Sequence, residues 1–325
     1  VHLDNFSFPG TAAKVVADGA PAPGSDLGPV ALFLNDGDQS ATWAGTGFNA
    51  IWRPFFDPVN APQQHHFLEL NFIDETLTFE RIPGKIFNRG LLQKDIAMFG
   101  VSYIDKINDA NVIDPTTGKL EGLHFEPGIW AIVPPTSAPQ EPQTVVRMAS
   151  IPHGTVINAQ GTVDPQPVPG GPDFPVASLT PTNLNTTIPF QPPFPEQTLT
   201  TASSFRTAAT DVPGIDQKII NDPNTVLENK LAGVTVHRTT TFSIATSNQP
   251  VPGGGIANTA FLEDAGSAAS PGNAQAVSTK AFFWVMDVTT ADGVDQRWLQ
   301  YSQSVILNFG PISWPHVTVG TLVRQ

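Results

Sequence analysis

The chain has 325 residues, enough for one large β domain or two small ones with a core of ordinary size. Only 14% of the residues are charged, against 32 prolines and 27 glycines, a balance that favours short strands and turns over long helices. The formal net charge of −13 repels phosphate backbones and argues against nucleic acid as a partner, and the absence of cysteine excludes disulfides, thiolate chemistry, iron–sulfur clusters and cysteine zinc sites. Any metal would therefore be held by His, Asp, Glu or carbonyl oxygen. No apolar run is long enough to span a bilayer and no leader pattern opens the sequence. A cytoplasmic location is the expectation, and a secreted chain that had shed its leader would look the same.

Residues 1–30 are rich in Gly, Ala, Pro and Asp without periodicity, and the chain up to residue 40 reads as an extended arm before a single β domain at 41–325. Structure is expected from Ala41 through Gly45-Thr46-Gly47 to Trp52, where the glycines suggest a strand that bends or lets another backbone come close. Phe67 to Asp74 alternates apolar and polar residues, which buries one face, and Glu75 to Ile82 continues the pattern to a turn at Pro83-Gly84. Further strands are predicted at 86–92, 97–107, 122–133, 144–149 and 154–161, with a turn at Asp114-Pro115-Thr116-Thr117-Gly118. From Asp164 the composition shifts to Pro, Gly, Thr and Asn and strand periodicity fades. The stretch 164–232 reads as a surface excursion or a linker, with a helical window at 211–231. Strands return at 233–245, 256–262, 281–288, 298–309 and 316–323, with a loop at Pro252-Gly253-Gly254-Gly255 and a turn at Asn308-Phe309-Gly310-Pro311. Ten or more strands joined mostly by short turns predict an all-β fold, an antiparallel sheet closed into a calycin-like barrel that carries a long Pro-rich insertion.

Histidine is the residue type on which a functional reading turns. On the last strand, alternation sets His316 opposite in direction to Val317 and level with Trp314; it is either a ligand to a metal or haem iron or a hydrogen-bonded core histidine. His124 and Glu126 lie two apart and share a face, so they either orient one another around a ligand or metal or brace the wall as a bonded pair. His153, in Pro152-His153-Gly154, lines a pocket mouth or sits exposed at a turn. His65 and His66 are adjacent and point apart, which argues against a joint site. Trp43, Trp130 and Trp314 can wall a flat ligand or fill the core, and Arg53 can meet a ligand carboxylate or make a surface ion pair. A metal held by His124, Glu126, His153 and His316 together is chemically reasonable. No G-x-S-x-G elbow, H-E-x-x-H, dinucleotide or phosphate-loop signature occurs, and no pair of carboxylates stands out as an acid/base couple.

Four segments, in order, resemble the nitrobindin family of haem-binding calycin barrels, which includes the C-terminal domain of THAP-type proteins. Thr42-Trp43-Ala44-Gly45-Thr46-Gly47 is similar to the family's opening G-x-W-x-G-x-G strand, with Ala41 in place of the leading glycine. Leu123-His124-Phe125-Glu126-Pro127-Gly128-Ile129-Trp130 is similar to its H-x-E-x-G-aromatic strand, and Arg147-Met148-Ala149-Ser150-Ile151-Pro152-His153-Gly154 to its strand ending in Pro-x-Gly. The stretch from Leu299 to Leu322 resembles the final hairpin, and His316 falls at the position of the proximal haem histidine. The typical domain is about half as long, the extra chain lying mainly between Gly161 and Gly233. The resemblance implies haem b bound through His316, with ferric iron reacting with nitric oxide or peroxynitrite in the manner of a peroxynitrite isomerase. The expected partner is thus a hydrophobic small molecule. A haem-free carrier of fatty acid or a similar molecule, with His124, Glu126 and Arg53 at its head group, and a non-haem metal enzyme are the alternatives. Strand edges and the Pro-rich excursion offer surfaces for a homo-oligomer.

Overall fold

The structure is a computed structural model, described for residues 26–34, 39–56, 66–246, 254–263 and 272–325. The N-terminal arm up to residue 25, His65 and part of the glycine loop at 252–255 lie outside the described residues.

Ten long strands carry the fold: β1 (Ser40–Arg53), β2 (Phe67–Arg81), β3 (Ile96–Ile113), β4 (Leu120–Val133), β5 (Thr144–Ile151), β6 (Thr155–Val163), β7 (Thr235–Ala245), β8 (Gln275–Thr289), β9 (Asp295–Phe309) and β10 (Ile312–Arg324). Each pairs antiparallel with the next along the chain, and β10 returns to pair with β1, so the sheet closes into an up-and-down barrel. The alternation that runs from Phe67 through Glu75 to Ile82 is one continuous strand, Phe67–Arg81.

The seam between first and last strands explains the glycines of β1. Gly45 lies opposite Leu322 and Gly47 opposite Gly320. A Cβ at Gly45 would stand 2.0 Å from the Thr321 carbonyl oxygen, and one at Gly47 2.1 Å from that of Val319. Only glycine lets the two backbones approach this closely.

Residues 28–33 are not extended. Gly28–Phe33 is a single 3-10 helix with Pro29 in its first turn, and it stoppers one end of the barrel. Val30 and Phe33 are fully buried among Trp43, Phe79, Trp130 and Phe242. Phe33 stacks on Phe79 and Phe242 at 4.7 and 4.9 Å, and the Trp43 indole N–H donates to the Phe33 carbonyl at 2.9 Å. Both Asp26 oxygens accept from Arg81 at 2.7 Å, which anchors the approach to this helix.

The stretch 164–234 is a structured coat on the outside of the barrel rather than a linker. Its helices are short, α1 (Gln217–Asn221) and α2 (Thr225–Lys230). Ile219, Ile220 and Leu227 pack on outward-facing Trp52, Trp284 and Val319 in a second core. Trp52 donates to the Leu179 carbonyl at 2.9 Å and Gln300 to that of Leu227 at 3.1 Å. At the centre of the coat the guanidinium of Arg206 donates to the carbonyls of Glu196, Thr198, Leu199 and Thr201. These bonds satisfy loop carbonyls that have no strand partner.

Candidate functional site

Inside the barrel, between the 3-10 stopper and the far rim, lies a cavity of about 360 Å³. Odd-numbered residues of β1, β2 and β9 and even-numbered residues of β4 and β10 face it, as period-2 geometry requires. Leu77, Ile107, Trp130 and Phe283 give it apolar walls. Arg53 and Glu69, both partly exposed and paired at 2.5 Å, stand at its more open end.

Its polar chemistry comes from strand register. Glu75 on β2 faces Ile107 on β3, Asp105 faces Leu77 on one side and Glu126 on the other, and Ile107 faces His124. Three carboxyls on three successive strands are therefore neighbours, Asp105 directly across from Glu126 and diagonal to Glu75. The chain's two tyrosines complete the cluster. Tyr103 sits opposite Gly128 and Tyr301 opposite Gly320, and a Cβ on either glycine would come within 2.5 Å of the tyrosine ring. The glycines are thus the spaces in which the two rings lie.

One half of this cluster is fully matched. Arg147 on β5 donates through Nη2 to Glu126 Oε1 at 2.5 Å, through Nε to the Tyr103 oxygen at 2.8 Å and through Nη1 to Gln303 Oε1 at 2.5 Å. The Tyr103 hydroxyl donates to Glu126 Oε1, and His124 Nε2 lies 3.3 Å from Glu126 Oε2. Burial alone would raise the Glu126 pKa, but the Arg147 charge and the His124 contact hold it at about 2. Burial lifts the Tyr103 hydroxyl well above its ordinary value, so it remains a proton donor.

The other half is unmatched. Tyr301 donates to Glu75 Oε2 at 2.7 Å, while Glu75 Oε1 and Asp105 Oδ1 are buried with no protein N–H or O–H group donating to them, and the hydrogen bond between the Glu75 and Asp105 side chains exists only while one of them holds a proton. Glu75 is 1% exposed and Asp105 8%. Burial pushes Glu75 up to about 7, against the opposing pull of the Tyr301 hydrogen bond. Burial, then the Glu75 charge, raises Asp105 well above the carboxylate range. Two adjacent carboxyls in such a setting share a proton rather than both ionise.

The histidine wall is fixed by a chain of amides. Asp109 accepts from the backbone N–H groups of Asn111 and Val112 and from Asn71 Nδ2 at 2.7 Å. Asn71 Oδ1 then accepts from Asn49 Nδ2 at 3.4 Å, which turns Asn49 Oδ1 toward His316 Nε2 at 2.7 Å and the Thr318 hydroxyl at 2.9 Å. His316 Nε2 accordingly carries the hydrogen, and Nδ1 is the basic nitrogen. Burial, then the nearby His124 and His153, lowers the His316 pKa to about 3, so the ring is neutral. His153 is lowered by burial first, and its ring lies 5.7 Å from that of His124.

Six residues singled out in the sequence, Arg53, His124, Glu126, Trp130, His153 and His316, line this one cavity. Trp43 instead lies beneath the cavity floor against the 3-10 helix. Trp314 is not level with His316 in the cavity: it packs 5.3 Å from Trp52 and 5.0 Å from His66, under the coat. Pro315 lies between Trp314 and His316 at this rim. His124, Glu126, His153 and His316 do not converge as a metal cage, and among the described residues no three His, Asp or Glu groups are placed to hold one ion.

Comparison with known proteins found no matching family model, no similar curated protein and no similar solved structure. The fold and the cavity themselves define the class: a ten-strand antiparallel up-and-down β-barrel of calycin-like form, with an internal cavity compatible with a bound small molecule.

Proposed function

We propose that this protein binds a small molecule inside the barrel, with an apolar body against Leu77, Trp130 and Phe283 and a polar end among the carboxyls and tyrosines. The observation that carries this reading is the pair of buried carboxyls, Glu75 and Asp105, with an oxygen each that no protein donor satisfies, lining a cavity of about 360 Å³. Among the described residues these are the two buried side-chain atoms without a protein partner that line the cavity, and its size falls within the range of roughly 300–1,000 Å³ typical of small-molecule sites. N-phenyl-1-naphthylamine, a neutral fluorescent probe, should bind with one molecule per chain, and Leu123→Trp, which fills the cavity beside His124, should abolish its signal with the circular dichroism spectrum unchanged. Equal probe binding by that variant would place the probe elsewhere and remove the proposal.

A second reading is haem, favoured by the state of His316. Its imidazole is neutral, Nε2–H is anchored on Asn49, and Nδ1 keeps its lone pair, the arrangement that suits an axial ligand to iron. His316 would hold the iron, and haem would supply a ferric centre with an open position for nitric oxide or peroxynitrite. The cavity lies near the lower end of the size range for small-molecule sites, which favours the first reading. Protein expressed with haem supplied should show a Soret band that His316→Ala eliminates; a variant that loads haem like the parent would exclude ligation by His316.

A further inference from the structure

We propose that Glu75 and Asp105 are the recognition point for an organic cation, a protonated amine or amidine carried on a compact apolar body. This rests on the cavity reading above and names the chemical class that the cavity takes.

The argument is charge matching within a closed space. Four carboxyls line the cavity, Glu69, Glu75, Asp105 and Glu126, and two guanidiniums, Arg53 and Arg147. Arg53 pairs with Glu69 at the rim, and Arg147 pairs with Glu126 while its remaining donors go to Tyr103 and Gln303. Glu75 and Asp105 are left over, each with one buried oxygen that no protein donor meets, and the hydrogen bond between them needs a proton held by the pair. Of the other titratable groups facing them none donates to those two oxygens, and His124 is the one that adds positive charge at Asp105. Tyr103 and Tyr301 are neutral donors, His124 is engaged on Glu126, and His153 and His316 both have lowered pKa values from burial.

An empty pair meets this situation by retaining a proton. A ligand N–H⁺ group does the same task with better geometry, since it can donate to both orphan oxygens and its charge permits both carboxyls to ionise. The proton that the pair held leaves to solvent as the cation enters. A fatty acid or other anion would add a further negative charge beside the two acids, with Arg147 already committed. Trp130 and Phe283 add aromatic wall to the same cavity, and Phe283 already has the Arg147 guanidinium 5.4 Å over its ring, so this wall accommodates a cation.

The test is calorimetric titration with three probes of one shape: 2-phenylethylamine, 2-phenylethanol and 3-phenylpropionate. The amine should bind at least about tenfold tighter than the alcohol, and the carboxylate weakest of the three. Amine affinity should rise between pH 6 and pH 8, and heats in buffers of different ionisation enthalpy should report proton release. Glu75→Gln and, independently, Asp105→Asn should each weaken the amine by about tenfold or more while leaving the alcohol unchanged. An alcohol that matches the amine, or an amine affinity indifferent to both substitutions, overturns the proposal. If the amine is silent while N-phenyl-1-naphthylamine still fills the barrel, the cation assignment falls and the cavity reading survives; if neither binds, both fall.

Discussion

Glu75 has a linkage opposite in sign to that of an ordinary surface acid. Its folded pKa of about 7 lies above its unfolded value of 4.5, so the folded chain holds a proton that the unfolded chain has lost, and stability falls as pH rises through that interval. His316 works the other way. Its folded pKa of about 3 lies below the unfolded 6.5, so stability rises with pH up to 6.5. Between about pH 4.5 and 6.5 the two slopes, each about 1.4 kcal/mol per pH unit, oppose one another. Asp105, raised, and His153, lowered, add slopes of their own to parent and variant alike, so the difference between the two is what urea unfolding should read: Glu75→Gln should gain about 2 kcal/mol over the parent between pH 5 and 6.5 and no more above pH 7. A variant whose curve follows the parent's would mean that Glu75 ionises like a surface acid. Glu126 offers no such signature near neutrality, because Arg147 keeps it charged down to about pH 2. Sequence reading found the histidines, Glu126, Trp130 and Arg53 because spacing on one strand reveals a shared face. It missed Glu75, Asp105, Tyr103, Arg147 and Tyr301, which meet only through register between strands far apart in the chain. A usable signal was present in Glu75, a charged residue in the same alternating row as Ile73, Leu77 and Phe79.

At the scale of elements, the coat is held by polar bonds at its centre and apolar contacts at its base. Arg206 is 7% exposed and satisfies four carbonyls at once. Arg206→Ala should strand three of those carbonyls, since that of Thr198 also accepts from the Thr201 N–H, and cost on the order of 3 kcal/mol. Limited proteolysis should then cut first within 195–207, with the barrel strands retained; a cleavage pattern like the parent's would show that packing under α1 and α2 suffices. The coat also explains which strand properties were legible. Alternation in β1 and β2 located the strands, but it suggested one buried face, whereas Trp52, Leu68 and Leu70 are buried on the outer face as fully as Trp43 and Phe79 are on the inner. Most of the six tryptophans accordingly lie under the coat rather than around the cavity. Composition marked 164–232 as different but could not show that its apolar residues had a barrel wall to cover.

For the whole molecule, the number of strands and their mostly short connections made the closed antiparallel sheet legible, since nine of the ten pairings among the barrel strands join strands consecutive in the chain. The stopper at Gly28–Phe33 was not legible, because a single 3-10 turn has no periodicity to detect. The pairing of β1 with β10 has a consequence for how this molecule comes into being. Thr46 and its partner Thr321 are joined across nearly the whole length of the chain. During synthesis, β1 must wait with an open hydrogen-bonding edge until the last strand leaves the ribosome, and the growing sheet presents a second open edge at each step. The tight Gly45–Gly47 seam is consequently also the point of greatest delay. A nascent chain halted before β10 would carry two sticky margins and no enclosed interior, the state in which such a sheet is most exposed to joining a neighbour instead of itself.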